Sequence, residues 1–237
     1  MRLLHGHIFK NGGTTFEGIL SNTFGSGHLI VEDEMRMHRE KGKYLKELIE
    51  ERPFKALSTH FLPVQEALKD QENFVIVFLR DPIERALSVY EFEKKQQHNS
   101  RGAINAKKMS PKEYFEWRLS ADSPPVIRDY QTRYLLQNDT VSEYDLDSVL
   151  NILKKNDRLF VGAIKDMRST LEELVIRLSK YDIFLDVEYD NRNVNKNFLS
   201  WSTEQKHNYL LDMVGFKIFE NILNSNRGDL DLYEWIV

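Results

Sequence analysis

The run Asn73-Phe74-Val75-Ile76-Val77-Phe78-Leu79 carries no charge and passes directly into Arg80-Asp81-Pro82-Ile83-Glu84. Such a run lacks the apolar/polar alternation of a half-solvated strand, so both faces must be covered, as in the interior of a parallel sheet. The residues that follow signal a helix start: Asp81 as N-cap, Pro82 at the first helical position and Glu84 closing a capping box. Arg80 therefore stands where strand meets helix.

Parallel strands need crossover connections, usually helices, and the rest of the chain supplies them. Arg2 to Phe9 reads as a first strand, followed by the turn Lys10-Asn11-Gly12-Gly13 and a helix with Phe16, Ile19 and Leu20 at helical spacing. His28 to Val31 and Phe54 to Ser58 read as further strands, and Gly42 to Glu51 as a helix between them. Beyond Arg80 the chain turns helical around Pro111 to Leu119, Pro125 to Leu136 and Ser142 to Lys155. A strand near Arg158 to Ile164 follows, then helices over Met167 to Leu178, Thr203 to Asn224 and Leu230 to Ile236. The expected class is α/β: a mostly parallel sheet flanked by helices, with a helical C-terminal half. Ligands of such sheets gather beyond the C-terminal ends of the strands, where Lys10, His60 and Arg80 all fall.

At 237 residues with 41% hydrophobic content, one domain spanning 1–237 is the expectation. A formal net charge of -4 argues against a nucleic-acid partner, which a net basic face would favour. The basic clusters, Lys94-Lys95 and Arg101 to Lys112, read as a solvated helix end and loop. The chain has no Cys, which removes disulfides, thiolate metal sites and cysteine nucleophiles and suits a reducing compartment. No apolar run approaches the ~20 residues of a membrane span, and the N-terminus does not read as a signal peptide. The expectation is a soluble, cytoplasmic protein; the oligomeric state is open.

A strand, a lysine, two glycines and Thr14-Thr15 entering a helix can cradle phosphate. Glycines let backbone N–H groups curl inward, the helix N-terminus adds about half a positive charge, and hydroxyls and a cation complete the shell. The spacing G-x-x-x-x-G-K-[ST] of nucleoside-triphosphate loops is absent, because the lysine precedes the glycines. On their own the glycines also fit a tight turn.

The stretch His7-Ile8-Phe9-Lys10-Asn11-Gly12-Gly13-Thr14-Thr15 resembles the H-I-P-K-T-G-G-T-[ST] donor loop of carbohydrate sulfotransferases that use 3′-phosphoadenylyl sulfate (PAPS). Within that group the likeness is to the branch of heparan and dermatan uronyl sulfotransferases and their bacterial relatives; Phe9 and Asn11 depart from the usual Pro and Thr. Val77-Phe78-Leu79-Arg80-Asp81-Pro82-Ile83-Glu84-Arg85-Ala86-Leu87-Ser88-Val89-Tyr90 resembles the family's second signature, L-R-D-P-x-E-R-x-x-S-x-Y, which grips the nucleotide's 3′-phosphate. An arginine fork suits phosphate oxygens, and Ser88 returns to nearly the same helix face as Asp81. Asp81 and Glu84 read as caps and Arg85 as a structural ion pair. Asp129-Tyr130-Gln131-Thr132-Arg133-Tyr134-Leu135 and Phe160 to Lys165 resemble later family segments, with Lys165 where an acid is usual. Asn193 to Lys196 and Asp229 to Tyr233 resemble the C-terminal one.

The resemblance implies a P-loop-like sulfotransferase fold and transfer of a sulfuryl group from PAPS to a hydroxyl, leaving 3′,5′-adenosine bisphosphate (PAP), with no metal required. Donor contacts would be Lys10, Asn11, Gly12, Gly13, Thr14, Thr15, Arg80, Ser88 and Lys196; Lys10 would also neutralise the leaving oxygen. His60, in Ser58-Thr59-His60-Phe61-Leu62-Pro63, resembles the segment that carries the family's catalytic histidine, with Glu17 as the rival base. The acceptor would be a glycan or another alcohol, and the aromatic and basic stretch Tyr90 to Trp117 reads either as its wall or as helix packing. His5 and His7 share a strand face, but no third metal ligand is evident. Two other readings stay open: a P-loop-like nucleotide kinase or hydrolase using Asp81, and a non-catalytic glycan-binding module of the same fold.

Overall fold

The computed structural model of the chain describes residues 1–137, 146–188, 198 and 200–237. It divides into two compact units, one of Met1–Leu79 with Arg133–Asn193 and Ile236–Val237, the other of Arg80–Thr132 with Val194–Trp235.

The first unit is built on the apolar run, which forms β4 (Asn73–Leu79), buried at every position. β4 lies beside β1 (Arg2–Gly6), and the five parallel strands run β2-β3-β1-β4-β5, with β2 His28–Ile30, β3 Ala56–Thr59 and β5 Leu159–Ala163. The register pairs His5 with Ile76 on one side and with Ser58 on the other. Because the chain lays down β2 and β3 on one side of β1 and β4 on the other, the β1–β4 crevice is the topological switch point. Open α/β sheets bind ligands there.

One sheet face, carrying Leu3, Phe74, Ile76, Phe78 and Phe160, is sealed by α1 (Gly13–Phe24) and α10 (Met167–Ser179) through Phe16, Ile19, Leu20, Leu171, Leu174 and Leu178. The intervening β4 residues Val75, Val77 and Leu79 are also fully buried. On the sheet's flanks α4 (Val64–Ala67) touches β4 and α9 (Leu146–Lys155) touches β5. The absence of alternation in the sequence therefore has its physical cause in helices on both sides. α2 (Glu34–Glu40) and α3 (Gly42–Glu51) complete the β2–β3 crossover.

The second unit is helical: α5 (Pro82–Lys95), α6 (Arg101–Lys108), α7 (Pro111–Leu119), α11 (Thr203–Val214) and α12 (Phe216–Asn224) lie within it. α8 (Tyr130–Leu136) and α13 (Arg227–Ile236) cross from one unit to the other along the chain. Among the described residues, no helix is long and apolar enough to cross a membrane.

Several expectations are corrected. β1 stops at Gly6, because Ile8 N–H turns back to the Gly6 carbonyl at 3.0 Å and Asn11 N–H to that of Ile8 at 3.1 Å. The helix expected from Pro125 starts only at Tyr130; Val126 and Arg128 make short turns on Pro124 and Pro125, and Asp129 is left-handed with φ 42°. The expected helix over Thr203 to Asn224 is broken at Gly215, whose φ of 81° suits glycine alone. Part of the basic stretch forms α6, capped by the Ser100 hydroxyl. The expected capping box at Asp81 is only half formed. Asp81 accepts from Ile83 and Glu84 N–H, but the Glu84 carboxylate accepts instead from Thr203 Oγ1 at 2.8 Å and Lys206 Nζ at 3.0 Å.

His5 is a polar group in the core, its ring edge-on to Phe16 at 4.9 Å and its Nδ1 3.0 Å from Ser58 Oγ. Burial, followed by repulsion from His7, His28 and His60, holds it well below the ordinary histidine value, so it is neutral when folded. The unfolded chain then binds more protons below pH ~6.5, and folding stability must drop as the pH falls through that range. Urea unfolding is expected to show this loss between pH 7.5 and 5.5, at up to roughly 1.4 kcal/mol per pH unit for one such group. His5→Phe should flatten the slope; an unaltered slope would assign it elsewhere.

Candidate active site

One group of candidate residues lies beyond the C-terminal end of β1. Lys10 is partly exposed and left-handed with φ 68°, and Gly12 follows with φ 75°, so the chain reverses in two steps and enters α1 at Gly13. The Gly13 and Thr14 N–H groups precede the first intrahelical bonds of α1, in which Thr15 and Phe16 N–H donate to the Gly12 carbonyl at 3.0 and 3.3 Å; Thr14 is half-buried and Thr15 buried. A Cβ on Gly13 would lie 1.9 Å from His7 Cδ2 and 2.3 Å from its Nε2, so only glycine fits. The cradle suits an anion held by backbone and hydroxyl groups.

Asn11, expected among the donor contacts, is buried, and its amide donates to the Phe78 carbonyl at 2.8 Å. The bond fastens the loop to β4 across the switch point.

His60 follows β3 directly. Its Nδ1 lies 2.9 Å from the His7 carbonyl, an acceptor only, so Nδ1 carries the proton and Nε2 the lone pair. Its backbone N–H donates to Glu34 Oε1 at 2.9 Å, and Thr59 Oγ1 donates to Glu34 Oε2 at 2.6 Å. Both oxygens of Glu34, from α2, thus clamp the end of β3. Burial and repulsion from His7 hold the His60 imidazole below its ordinary value, against the raising pulls of the His7 carbonyl, Glu34 and Glu17. At neutral pH His60 is an uncharged ring with a basic Nε2. Glu17, the rival base, is occupied by His7 Nδ1 at 2.7 Å. Tyr134 Oη accepts from Leu62 N–H at 3.1 Å on the far side of His60 in the chain.

A separate group of candidate residues lies in the helical unit. Arg80 and Gln131 clasp each other, Arg80 N–H to Gln131 Oε1 and Gln131 Nε2 to the Arg80 carbonyl, both at 2.9 Å. Asp229 in turn accepts from the backbone N–H groups of Gln131 at 3.0 Å and Thr132 at 2.7 Å, fixing the start of α8. On α5 the half-buried positions Glu84, Ser88 and Glu91 form one stripe, and Arg80 reaches Glu84 Oε2 at 3.3 Å. Ser88, expected near the face of Asp81, lies one turn beyond Glu84 on that stripe. Asp81 accepts from His207 Nε2 at 2.8 Å. Burial would raise its carboxyl, but the His207 bond and the cap N–H groups outweigh that and hold it low.

Arg85 is buried, donates to the Val126 carbonyl at 2.7 Å and lies over the Tyr130 ring at 4.4 Å. Tyr90, Tyr114 and Phe115, candidates for an acceptor wall, are instead buried against one another, with Tyr114 bonded to Glu93 and Arg118. Lys196 lies outside the described residues. Glu34, Gln131, Lys206 and the side chain of His7 carried no signal strong enough to single them out from sequence as site residues. Gln131 stood inside a recognised segment, but Glu34 acquires its place only when α2 folds onto β3.

The parallel sheet carries a glycine turn after β1, a neutral imidazole after β3 and an arginine after β4, each just beyond a strand end. A model of the sulfotransferase family matches residues 1–213, which run through both units, and the chain belongs to that family. Its chemistry is accordingly sulfuryl transfer, and the kinase or hydrolase reading loses its support. An uncharacterized protein of Archaeoglobus fulgidus is 24% identical over 243 residues, covering 99% of this chain and 95% of its own. Among solved structures, a sulfotransferase from Alicyclobacillus acidocaldarius has 12% identity and a TM-score of 0.49, covering 98% of each chain. The mouse sulfotransferase SULT7A1 complexed with PAP has 15% identity and a TM-score of 0.43, covering 98% of this chain and 87% of its own. Those likenesses are weak, and the assignment rests on the family model.

Because Gly13 touches His7 so closely, Gly13→Ala must displace that ring or the loop, at a cost of about 1–3 kcal/mol. Thermal denaturation should show the loss. Gly27→Ala, whose added Cβ meets nothing nearer than 3.7 Å, is the matched control and should leave the midpoint nearly unchanged.

Proposed function

We propose that the protein transfers the sulfuryl group of PAPS to a hydroxyl of a carbohydrate or other alcohol, by in-line displacement with His60 as base. Residues 1–237 would act as one catalytic domain, related to the branch of uronyl sulfotransferases. The observation that carries this reading is the His60 tautomer. With Nδ1–H committed to the His7 carbonyl, Nε2 is left to accept the hydroxyl proton.

PAPS supplies the sulfuryl group and an adenosine bisphosphate leaving group. Lys10, the loop N–H groups around Gly12 and Gly13, Thr14 and Thr15 take the 5′-phosphosulfate. Arg80 and Ser88 take the 3′-phosphate, and Arg80 exchanges its ion pair with Glu84 for the ligand. His60 Nε2 removes the acceptor proton while the acceptor oxygen bonds to sulfur and the bond from sulfur to the bridging phosphate oxygen breaks. Lys10 offsets the charge left on that oxygen. No step in this scheme requires a metal. Asn11 serves the donor site indirectly, by holding the loop on Phe78.

A neutral or weakly charged glycan suits the formal charge of -4 better than a heavily sulfated polymer.

Calorimetry with PAP tests the donor site: micromolar binding is expected, weakened at least tenfold by Arg80→Ala. Binding that Arg80→Ala leaves intact would sink the assignment. Turnover of labelled PAPS across an acceptor panel tests the base. His60→Ala should cost ~10² to 10⁴ in rate with PAP affinity unchanged. Since His60 is active when deprotonated and titrates low, kcat/KM of the native enzyme should fall only below the ordinary histidine range, pH ~6.5.

A further inference from the structure

His7 meets three parts of the site at once. Its Nδ1 donates to Glu17 Oε1 at 2.7 Å, on the second turn of α1. Its ring lies against Gly13, where a Cβ would come within 1.9 Å. It also covers the His60 ring, centroid to centroid 4.2 Å and inclined by 34°. The His7 side chain is 11% exposed and that of Glu17 18%, so the pair is largely shielded from water.

The His60 side chain starts just past a strand end and is held by one hydrogen bond at Nδ1. A single bond leaves the ring free to tilt about it, and the second side-chain torsion of histidine is broad. The His7 ring is the surface that limits this tilt. With Glu17 gripping its opposite edge, that ring cannot itself rotate without breaking a bond to a carboxylate.

We infer that the His7 side chain, clamped by Glu17, is the positioning residue of His60, holding its Nδ1–H on the His7 carbonyl so that Nε2 keeps one direction. The inference deepens the base reading of His60 and rests on it for its catalytic consequence. His7 also links the anion loop to the base, because one ring touches Gly13 and His60 together. The charged and titratable groups that face the two rings are Glu17 from α1, Glu34 from α2 and His5 from β1. Repulsion from His7 disfavours a proton on His60, so loss of the ring should raise the pH at which His60 protonates.

His7→Asn tests this, since the asparagine amide can keep the bond to Glu17 while the rest of the ring is gone. In ¹H–¹⁵N spectra of the imidazoles, native His60 should be the Nδ1–H tautomer. In His7→Asn it should become a mixture of tautomers and titrate at higher pH. The rate should drop about tenfold or more, as misplacement of a reacting group by ~1 Å can cost up to 10²-fold, with PAP affinity within twofold. In a His60→Ala background, His7→Asn should produce no further loss.

An unchanged His60 spectrum, or an equal rate loss in the His60→Ala background, overturns the inference. Should His7→Asn fail to fold by circular dichroism, Glu17→Ala removes the acceptor that clamps the His7 ring. It should move the same His60 signals and lower the rate a few-fold; unmoved signals overturn the inference. If the signals move as expected but His60→Ala turns over at the native rate, the base reading falls while the positioning of the ring stands.

Discussion

The pairing of β1 with β4 is the constraint on which the first unit depends. Both strands lie at the middle of the sheet, where every backbone group is spent on neighbours and every side chain on cover. Their C-terminal ends are therefore rigid, and the chain leaving them must turn at once. The Asn11 amide on the Phe78 carbonyl makes the two exits one piece, because the loop after β1 is hydrogen-bonded to the last turn of backbone in β4. An anion cradle needs N–H groups held in place before the ligand arrives. A loop fastened to a buried strand provides that at no cost in ordering at the moment of binding.

Polar residues in this unit are placed by the same logic. Four histidines, His5, His7, His28 and His60, lie near one another around β1 and β3, and each is assigned a partner: Ser58 for His5 and His28, Glu17 for His7, the His7 carbonyl for His60. Buried imidazoles are tolerated because each can be neutral and still both donate and accept. The arrangement gives His60 a defined tautomer without any charged residue bonded to its ring. The carboxylate of Glu34 spends its oxygens on backbone and hydroxyl and so shapes the end of β3, adding only a pull on the His60 proton that burial and His7 outweigh.

In the second unit the same economy applies to Arg80. Its backbone is clasped by Gln131, whose own N–H is fixed by Asp229, and its side chain rests on Glu84. Glu84 is in turn shared with Thr203 and Lys206 of α11. A carboxylate at the first turn of α5 that had merely closed a capping box could not take this part. The half-formed box at Asp81 is thus the local sacrifice that lets a distant helix reach the same residue.

Much of this protein was legible in the linear chain. The uninterrupted apolar run specified a strand covered on both faces, the Asp81-Pro82 step specified where α5 begins, and Lys10-Asn11-Gly12-Gly13-Thr14-Thr15 marked the turn into α1 and, by its likeness, the family. These are local signals: burial pattern, backbone propensity and capping act within a few residues, so sequence carries them intact. Tertiary structure alone decided the rest. That Asn11 fastens the loop, that Glu17 belongs to His7, that Glu34 clamps β3 and that Tyr90, Tyr114 and Phe115 are core all depend on contacts between segments far apart in the chain. No spacing encodes such contacts, because which acceptor a buried donor finds is settled only when the helices close on the sheet.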